Sequence, residues 1–196
     1  MLRLAVLLSG GGRTLDNFHR RIQDGTLKAR IEAVVSNSEK ALGLEKAKNY
    51  GYPAFFAPDD AAINRILADF SVDLIALAGY LKLYAPPPRL ARRVLNIHPA
   101  LLPCFGGRGF YGHHVHEAVW AAGCTVSGCT VHFANERYDA GPIVLQRCVA
   151  LDENDGPDEI AARVFEQECE CYPEAINLVD RKGAEHFWNK ETRRVK

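Results

Sequence analysis

The sequence predicts an α/β fold with a mostly parallel, doubly wound sheet and antiparallel strands late in the chain. The apolar run at 4–8 is continuous, as in a strand buried on both faces of a parallel sheet, and 73–78 is a further predicted strand. Segments with helical periodicity separate these runs, which predicts right-handed crossover connections. Two longer β-rich segments, 125–133 and 141–149, flank a short loop and predict an antiparallel pair that continues the sheet.

The first half alternates strands and helices. Strands are predicted at 4–8, 31–35, 53–56, 73–78 and from 94 to the break at His98-Pro99. The helices follow from apolar residues at three- and four-residue spacing, and they are predicted from Leu15 through Ile22 and at 41–49 and 61–70.

The second half has longer elements. A glycine-rich loop precedes a predicted helix at 114–122, and the longest amphipathic helix is predicted at 158–179. The segment from 181 to 196 is polar and is expected to be a loosely held tail. No repeat or linker interrupts the pattern, so the whole of 1–196 is predicted to be a single domain.

Composition excludes several classes of partner. The 196-residue chain has zero formal net charge and no long run of lysine or arginine, which argues against nucleic acid and anionic membranes. Its six cysteines include no Cys-x-x-Cys pair, and no apolar run approaches the roughly 20 residues of a membrane span. The N-terminus is too short for a signal peptide, so a reduced, cytoplasmic protein is predicted.

The stretch 94–103 is the first candidate for chemistry. Side chains alternate along a strand, so Asn96 and His98 point to the same side before Pro99 ends the strand. A neutral amide donor beside an imidazole suits a reaction in which negative charge develops on a carbonyl oxygen. The alternative is a core strand whose two polar side chains bind the backbone.

The triple glycine after the first strand is the second candidate. Gly10, Gly11 and Gly12 lie between a buried strand and a helix, where backbone N–H groups and the lack of side chains favour an anion. Neither a Walker A loop nor a dinucleotide fingerprint is present, so a monophosphate fits better, with Arg13 adding charge and Thr14 a hydroxyl. The alternative is a tight turn.

Further candidates lie downstream. Asp139 is in the loop between the two late strands, and a carboxylate brought near His98 would favour the imidazolium and hold a proton-shuttling water. By itself, an aspartate before Ala-Gly is more often a turn residue. His132, in the preceding strand, is either a core histidine or a residue that supports the site. The histidines at 113, 114 and 116 lack an acid or thiol spaced to complete a site, so no metal is predicted.

With these residues in place, the chain resembles the folate-dependent formyltransferases, and among them the branch that acts on glycinamide ribonucleotide. The resemblance covers nearly the whole chain, up to about Val179. Its motifs are Ser9-Gly-Gly-Gly, Leu77-Ala-Gly-Tyr80, Asn96-Ile-His-Pro-Ala-Leu-Leu-Pro103, Gly128-Cys-Thr-Val-His-Phe133, Asp139-Ala-Gly-Pro-Ile143 and Glu168 before Tyr172-Pro173.

The resemblance implies a Rossmann-like formyltransferase domain, with a phosphate-binding half at about 1–93 and a folate-binding, catalytic half at about 94–180. It implies formyl transfer from 10-formyltetrahydrofolate to the amine of glycinamide ribonucleotide in purine biosynthesis, with small molecules as partners, no metal, and a monomer or homodimer. Asn96 and His98 would stabilise the oxyanion, and Asp139 would order water and relay the proton. His132 would help arrange the site.

The same resemblance implies the binding residues. The phosphate would bind at Gly11, Gly12, Arg13 and Thr14, and the ribose hydroxyls at Glu168. The folate would contact Leu81, Lys82, Leu83, Asn135, Glu136 and Tyr138. The family pattern has Ser-Asn where this chain has Arg13-Thr14, and an arginine where it has Lys82.

Other functions stay open at this point. A formyltransferase for a different amine, such as an amino sugar nucleotide or methionyl-tRNA, would use the same residues. The transfer-RNA acceptor is disfavoured because no basic patch exists to hold it. A hydrolase of the formylated folate and a binding module without catalysis are further alternatives, and the second is disfavoured by the combination of Asn96, His98 and Asp139.

Overall fold

The computed structural model describes residues 1–194 and, among them, the side chains of residues 1–189. Every helix and strand predicted from the sequence is present, with ends shifted by a few residues. The elements are β1 (Leu2–Leu8), α1 (Arg13–Gln23), β2 (Ala29–Ser36), α2 (Leu42–Asn49), β3 (Ala54–Phe56), α3 (Asp60–Ala68), β4 (Leu74–Leu77), β5 (Val94–His98), α4 (His113–Ala121), β6 (Val126–Phe133), β7 (Ile143–Ala150), α5 (Pro157–Lys182) and α6 (Ala184–Arg194).

The chain divides into two compact units, Met1–Asn96 and the residues from Ile97 onward. In the first unit the strand order is β3-β2-β1-β4-β5, and all neighbouring strands are parallel. Residues 4–8 of β1 are fully buried, because β1 lies in the interior of this sheet and carries an unbroken apolar run. The loops that follow β1 and β4 therefore leave the same edge of the sheet, beside one another.

Strand β5 runs across the boundary, and in the second unit the order is β5-β6-β7. Strands β6 and β7 are antiparallel over most of their length. Helix α5 packs on both of them and buries Ile160, Val164 and Ile176. The predicted fold class is confirmed: a mostly parallel sheet with late antiparallel strands.

The C-terminal segment differs from the loosely held tail expected from its composition. Helix α6 begins at Ala184, which is buried together with Phe187. The ring of Phe187 lies 5.9 Å from that of Phe133 on β6, and the ring of Trp188 lies 5.7 Å from it. Because these few apolar residues share one face of the helix, they hold an otherwise polar segment against the core of the second unit.

Within residues 1–194, no helix has both the length and the apolar character that crossing a membrane requires.

Candidate active site

Strand β5 carries the first two candidate residues. Asn96 is half-buried and His98 is 3% exposed, and their spacing of two residues places both side chains on one face of the strand. The imidazole Nε2 of His98 donates a hydrogen bond to the carbonyl oxygen of Phe105, at 2.8 Å. The ring is therefore held by the loop that follows the strand.

A single carboxylate joins the two predicted histidines of the second unit. Oδ1 of Asp139 lies 3.5 Å from Nδ1 of His98 and 3.5 Å from Nε2 of His132. Its other oxygen, Oδ2, accepts a hydrogen bond from the backbone N–H of Gly107 at 2.9 Å. The three side chains are nearly inaccessible to solvent, so the structure builds a compact, buried His–Asp–His cluster.

Burial and charge act in opposite directions on this cluster. Burial raises the pKa of the Asp139 carboxyl, but the adjacent rings of His132 and His98 and the N–H of Gly107 together hold that pKa below its ordinary value. Burial lowers the pKa of His98, and Asp139 and the Phe105 carbonyl offset this effect only in part. The carboxylate is charged and His98 is neutral at neutral pH.

The sequence predicted that a nearby carboxylate would favour the imidazolium form of His98. Asp139 does raise the pKa of His98, but burial of the ring outweighs it. The neutral ring leaves Nδ1 as a lone-pair acceptor facing a carboxylate, since Nε2 carries the proton donated to Phe105. His98 is therefore poised to accept a proton, and Asp139 to stabilise the resulting cation.

The backbone at Asp139 is in the left-handed region, with φ of 54°. Aspartate and asparagine tolerate this conformation better than most residues that bear a side chain. The turn aims the carboxylate back at both histidines, so the turn residue expected from the sequence and the functional carboxylate are the same residue.

Thr130 fastens the loop that follows β5. Its buried hydroxyl donates to the carbonyl of Ala100 at 2.7 Å and accepts from the N–H of Leu102 at 3.0 Å. The amide of Gln146 donates to the same hydroxyl and to the carbonyl of Leu102. These bonds tie residues 100–102 to β6 and β7, which limits the freedom of the loop beside His98.

The glycine-rich turn of the first unit begins α1. Gly12 is the residue before the helix and has φ of 73°, a conformation that glycine adopts without cost. The first N–H groups of a helix have no acceptor within it, and its N-terminus carries partial positive charge. Exposed Arg13 and half-buried Thr14 are the first two helical residues. The structure thus places the four predicted phosphate residues at one helix N-terminus.

A close approach of two backbones explains the glycine at position 12. A Cβ there would lie 2.8 Å from the Cα of Gly43, and the N–H of Gly43 donates to the carbonyl of Gly10 at 3.0 Å. A Cβ on Gly43 would in turn collide with Leu8. Gly43 therefore packs against the glycine-rich turn and helps to fix its shape. No local motif in the sequence identifies Gly43 as part of this turn.

We expect Gly12→Ala to displace this turn, because the added methyl meets backbone and the residue must also keep a left-handed φ. The expected loss is about 1–3 kcal/mol of unfolding free energy, with weaker binding of inorganic phosphate. Urea unfolding and phosphate titration measure the two effects. Gly51→Ala is the matched control, since its φ of 79° imposes the same strain without a neighbour within 4 Å. Equal losses in both variants would contradict a role for the close approach.

Leu81, Lys82 and Leu83 form an exposed segment after β4. Leu81 and Leu83 are 59% and 41% exposed, unusual for leucines held so close to a sheet edge. The hydroxyl of Ser9 accepts a hydrogen bond from the N–H of Leu81 at 3.2 Å, and the N–H of Ser9 donates to the carbonyl of Gly79. The glycine-rich turn and this apolar segment are therefore joined.

The remaining predicted binding residues lie in the second unit. Asn135 caps its own loop by accepting a hydrogen bond from the N–H of Arg137 at 3.0 Å, and Glu136 and Tyr138 are exposed. Glu168 is half-buried on α5 and contributes to raising the pKa of the Cys129 thiol, after the hydrogen bond with Cys171 and burial.

The histidine cluster at 113, 114 and 116 begins α4. His114 pairs with Glu117 at 3.0 Å, and His113 lies 3.8 Å from Asp158. Burial, with His113 and His98 nearby, lowers the pKa of His116 to about 4. Among residues 1–194, no group of three or more histidine, cysteine or acidic side chains is arranged to hold a metal ion.

A family model described as formyl transferase matches residues 2–176 of the chain. The chain belongs to the formyl transferase family. The resemblance predicted from the motifs is thereby confirmed.

Several named relatives are similar to this chain over most of its length. A phosphoribosylglycinamide formyltransferase of Haemophilus influenzae is 39% identical over 187 residues, covering 90% of this chain and 86% of that protein. The chloroplastic phosphoribosylglycinamide formyltransferase of Arabidopsis thaliana is 39% identical over 191 residues, covering 90% of this chain. The chain spans only 65% of the Arabidopsis protein and 60% of its counterpart from Vigna unguiculata.

Solved structures share the formyl transferase fold. The glycinamide ribonucleotide transformylase 1 of Symbiobacterium toebii superposes with a TM-score of 0.81 at 37% identity, covering 90% of this chain and 86% of that one. The phosphoribosylglycinamide formyltransferase of Anaplasma phagocytophilum gives 0.82 at 33% identity, covering 92% and 87%. The Rossmann-like fold expected from the resemblance is confirmed.

Several residues that support the candidate site were not predicted from the sequence. Phe105 and Gly107 act through backbone atoms, which leave no mark on residue type. Thr130 and Gln146 bind the loop through side chains, and a buried threonine inside an apolar strand was the available signal.

Proposed function

We propose that this formyl transferase moves the formyl group from 10-formyltetrahydrofolate, its co-substrate, to the primary amine of glycinamide ribonucleotide. The products are the N-formyl ribonucleotide and tetrahydrofolate, and the reaction is a step of purine biosynthesis. The observation that carries the proposal is the buried cluster of His98, Asp139 and His132. Asn96 lies two residues before His98 on β5. The names of the relatives support the choice of acceptor.

The chemistry is an addition followed by an elimination. The amine nitrogen forms a bond to the formyl carbon, and negative charge develops on the formyl oxygen, where Asn96 donates a hydrogen bond. Nδ1 of His98 takes up the proton that the amine loses, and Asp139 stabilises the imidazolium. That proton then passes to N10 of the folate as the bond from N10 to the formyl carbon breaks. No residue forms a covalent bond to the substrate.

The binding residues complete the proposal. The helix N-terminus at Gly11, Gly12, Arg13 and Thr14 binds the ribonucleotide phosphate, because its backbone N–H groups and partial positive charge favour an anion. Glu168 accepts hydrogen bonds from the ribose hydroxyls. The exposed apolar side chains of Leu81, Leu83 and Tyr138 supply surface for the flat pterin, with Lys82, Asn135 and Glu136 beside them.

We also propose that the chain acts as a single domain in the reduced cytoplasm, as a monomer or homodimer and without a metal. The family model spans both compact units, which supports the single domain. The six cysteines of the sequence include no Cys-x-x-Cys pair, and this cysteine usage supports a reducing compartment.

The direct test mixes the purified chain with 10-formyltetrahydrofolate and glycinamide ribonucleotide and follows tetrahydrofolate spectroscopically. We expect tetrahydrofolate only when the ribonucleotide is present. Release without an acceptor would replace the proposal with a folate hydrolase. Binding of the folate with no release would reject this acceptor, and amino sugar nucleotides would then be tried.

Glu168→Ala is expected to weaken ribonucleotide binding by about 10-fold, the size of a hydrogen bond to a charged group, while folate affinity stays near the wild-type value. Isothermal titration calorimetry with each ligand separates the two affinities. Glu174→Ala is the matched control, since this exposed acid of the same helix pairs with Arg147. A parallel loss of folate affinity would reassign Glu168 to a structural role.

A further inference from the structure

The imidazole of His98 is held by a backbone carbonyl. A carbonyl oxygen accepts hydrogen bonds and cannot donate them, so the 2.8 Å contact with Phe105 requires the proton to be on Nε2. His98 is almost completely buried, so water does not compete freely for this bond. The neutral ring is thereby fixed in one of its two tautomers.

The carbonyl of Phe105 reaches His98 through an unfavourable backbone conformation. Phe105 has φ of 53°, in the left-handed region that an aromatic residue rarely adopts. The next residue, Gly106, is packed so that a Cβ would overlap Leu102 and lie 3.3 Å from the Cβ of Asp139. The N–H of Gly107 then binds Asp139. Phe105 and Gly107, on either side of the closely packed Gly106, thus place one backbone group on each partner of the His98–Asp139 pair.

The tautomer determines which nitrogen of His98 exchanges protons. With Nε2 committed to Phe105, Nδ1 is the atom that faces Oδ1 of Asp139, at 3.5 Å. In the neutral ring, Nδ1 of His98 and Oδ1 of Asp139 are both hydrogen-bond acceptors. Once Nδ1 is protonated, it can donate to Oδ1. In the other tautomer, Nδ1 would bear the proton at the outset and could accept none.

We propose that Phe105 is a positioning residue: its left-handed backbone turns its carbonyl oxygen onto Nε2 of His98 and so keeps Nδ1, beside Asp139, unprotonated and able to take up the substrate's proton. The inference deepens the proposed function, and rests on it for the identity of that proton. It assigns the role to the backbone of Phe105 and none to its ring, which contacts Phe110.

The first experiment separates the backbone of Phe105 from its ring. Phe105→Gly adopts a left-handed φ freely, Phe105→Ala keeps the penalty of a Cβ, and Phe105→Val is β-branched and is driven out of this region. We expect kcat to fall in the order glycine, alanine, valine, with valine about 10²-fold below wild type, the cost of a misplaced catalytic group. The KM for the ribonucleotide should change little.

Phe110→Leu is the matched control, because it removes the ring partner of Phe105 without touching its backbone. It should keep the wild-type kcat. Equal losses in all three Phe105 variants would assign the role to the ring and overturn the inference.

The second measurement needs no variant to fold well and no substrate. The ¹⁵N spectrum of histidine-labelled wild-type protein at neutral pH reports which ring nitrogen bears the proton, and the His98 signals are assigned by their loss in His98→Gln. We expect protonation at Nε2. The titratable groups that face His98 are Asp139, His132 and His116, and all of them are unchanged in this sample.

The two tests fail independently of the proposed function. A wild-type protein that transfers formyl but shows His98 protonated at Nδ1 would overturn the inference alone. A wild-type protein that shows the Nε2 tautomer but transfers no formyl would overturn the proposed function, and the assignment of the tautomer to Phe105 would stand.

Discussion

Asp139→Asn is expected to lower kcat by about 10²–10⁴-fold, the usual contribution of a positioned acid or base, with little change in affinity for the ribonucleotide. The amide has nearly the same shape, tolerates the left-handed backbone at this position, and can still accept the hydrogen bond from Gly107. It lacks the negative charge that stabilises the protonated form of His98. The substitution is therefore expected to lower kcat and to leave the affinity for the ribonucleotide nearly unchanged.

Steady-state kinetics with both substrates, together with calorimetric binding of the ribonucleotide, separates turnover from affinity. Asp152→Asn is the matched control, because that carboxylate accepts a hydrogen bond from Asn154 in an exposed loop. Equal losses in turnover and affinity for Asp139→Asn would contradict the assigned role in proton transfer.

Thermal unfolding provides a check on the fold of Asp139→Asn. The pKa of the Asp139 carboxyl is lowered in the folded protein, so its charge stabilises the fold above the ordinary carboxyl range near pH 4. That stabilisation is lost as the pH falls through the lowered pKa. The difference in unfolding free energy between wild type and Asp139→Asn should therefore be largest near neutral pH and should shrink in acid.

Asn96→Ala is expected to lower kcat by about 10²–10³-fold, the cost of removing one donor from a site that stabilises a developing oxyanion. Asn96 is half-buried on β5, where its backbone pairs with Leu77, so truncating the amide leaves the strand in place. The KM for each substrate should change much less than kcat, because the hydrogen bond strengthens as charge develops on the oxygen.

Asn96→Asp tests whether the amide acts as a donor or only as a packing group. It preserves size and shape but replaces the N–H donor with a charged acceptor, so its kcat should be no higher than that of Asn96→Ala. Asn154→Ala, in the exposed loop before α5, controls for loss of an amide elsewhere. A kcat for Asn96→Ala above about a tenth of the wild-type value would remove Asn96 from the oxyanion site.

Parts of the candidate site were predictable because they depend on short stretches of chain. Asn96 and His98 share a face because strand side chains alternate, whatever the rest of the fold. The glycine-rich turn was recognisable because a buried strand, three glycines and an amphipathic helix follow one another directly. In both cases the geometry is local, and the residue types report it.

Other contacts depend on the path of the chain between distant residues. Asp139 lies 41 positions after His98 and could be assigned to it only through the motif resemblance, since a lone Asp-Ala-Gly is more often a turn. The direction of the His98 pKa shift was also out of reach, because burial of the ring outweighs the carboxylate beside it. Burial is a property of the packed structure.

The sequence by itself determined the order of strands and helices, the parallel and antiparallel parts of the sheet, and the polar face of β5, because hydrophobic periodicity is set by nearest neighbours along the chain. Only the tertiary structure decided that one oxygen of Asp139 serves both His98 and His132, and that the Phe105 carbonyl holds His98. It also decided that Gly43 packs against Gly12 and that α6 docks through Phe187. These contacts join residues whose separation in space depends on strand register and loop conformation, and many of them use backbone atoms that every residue shares.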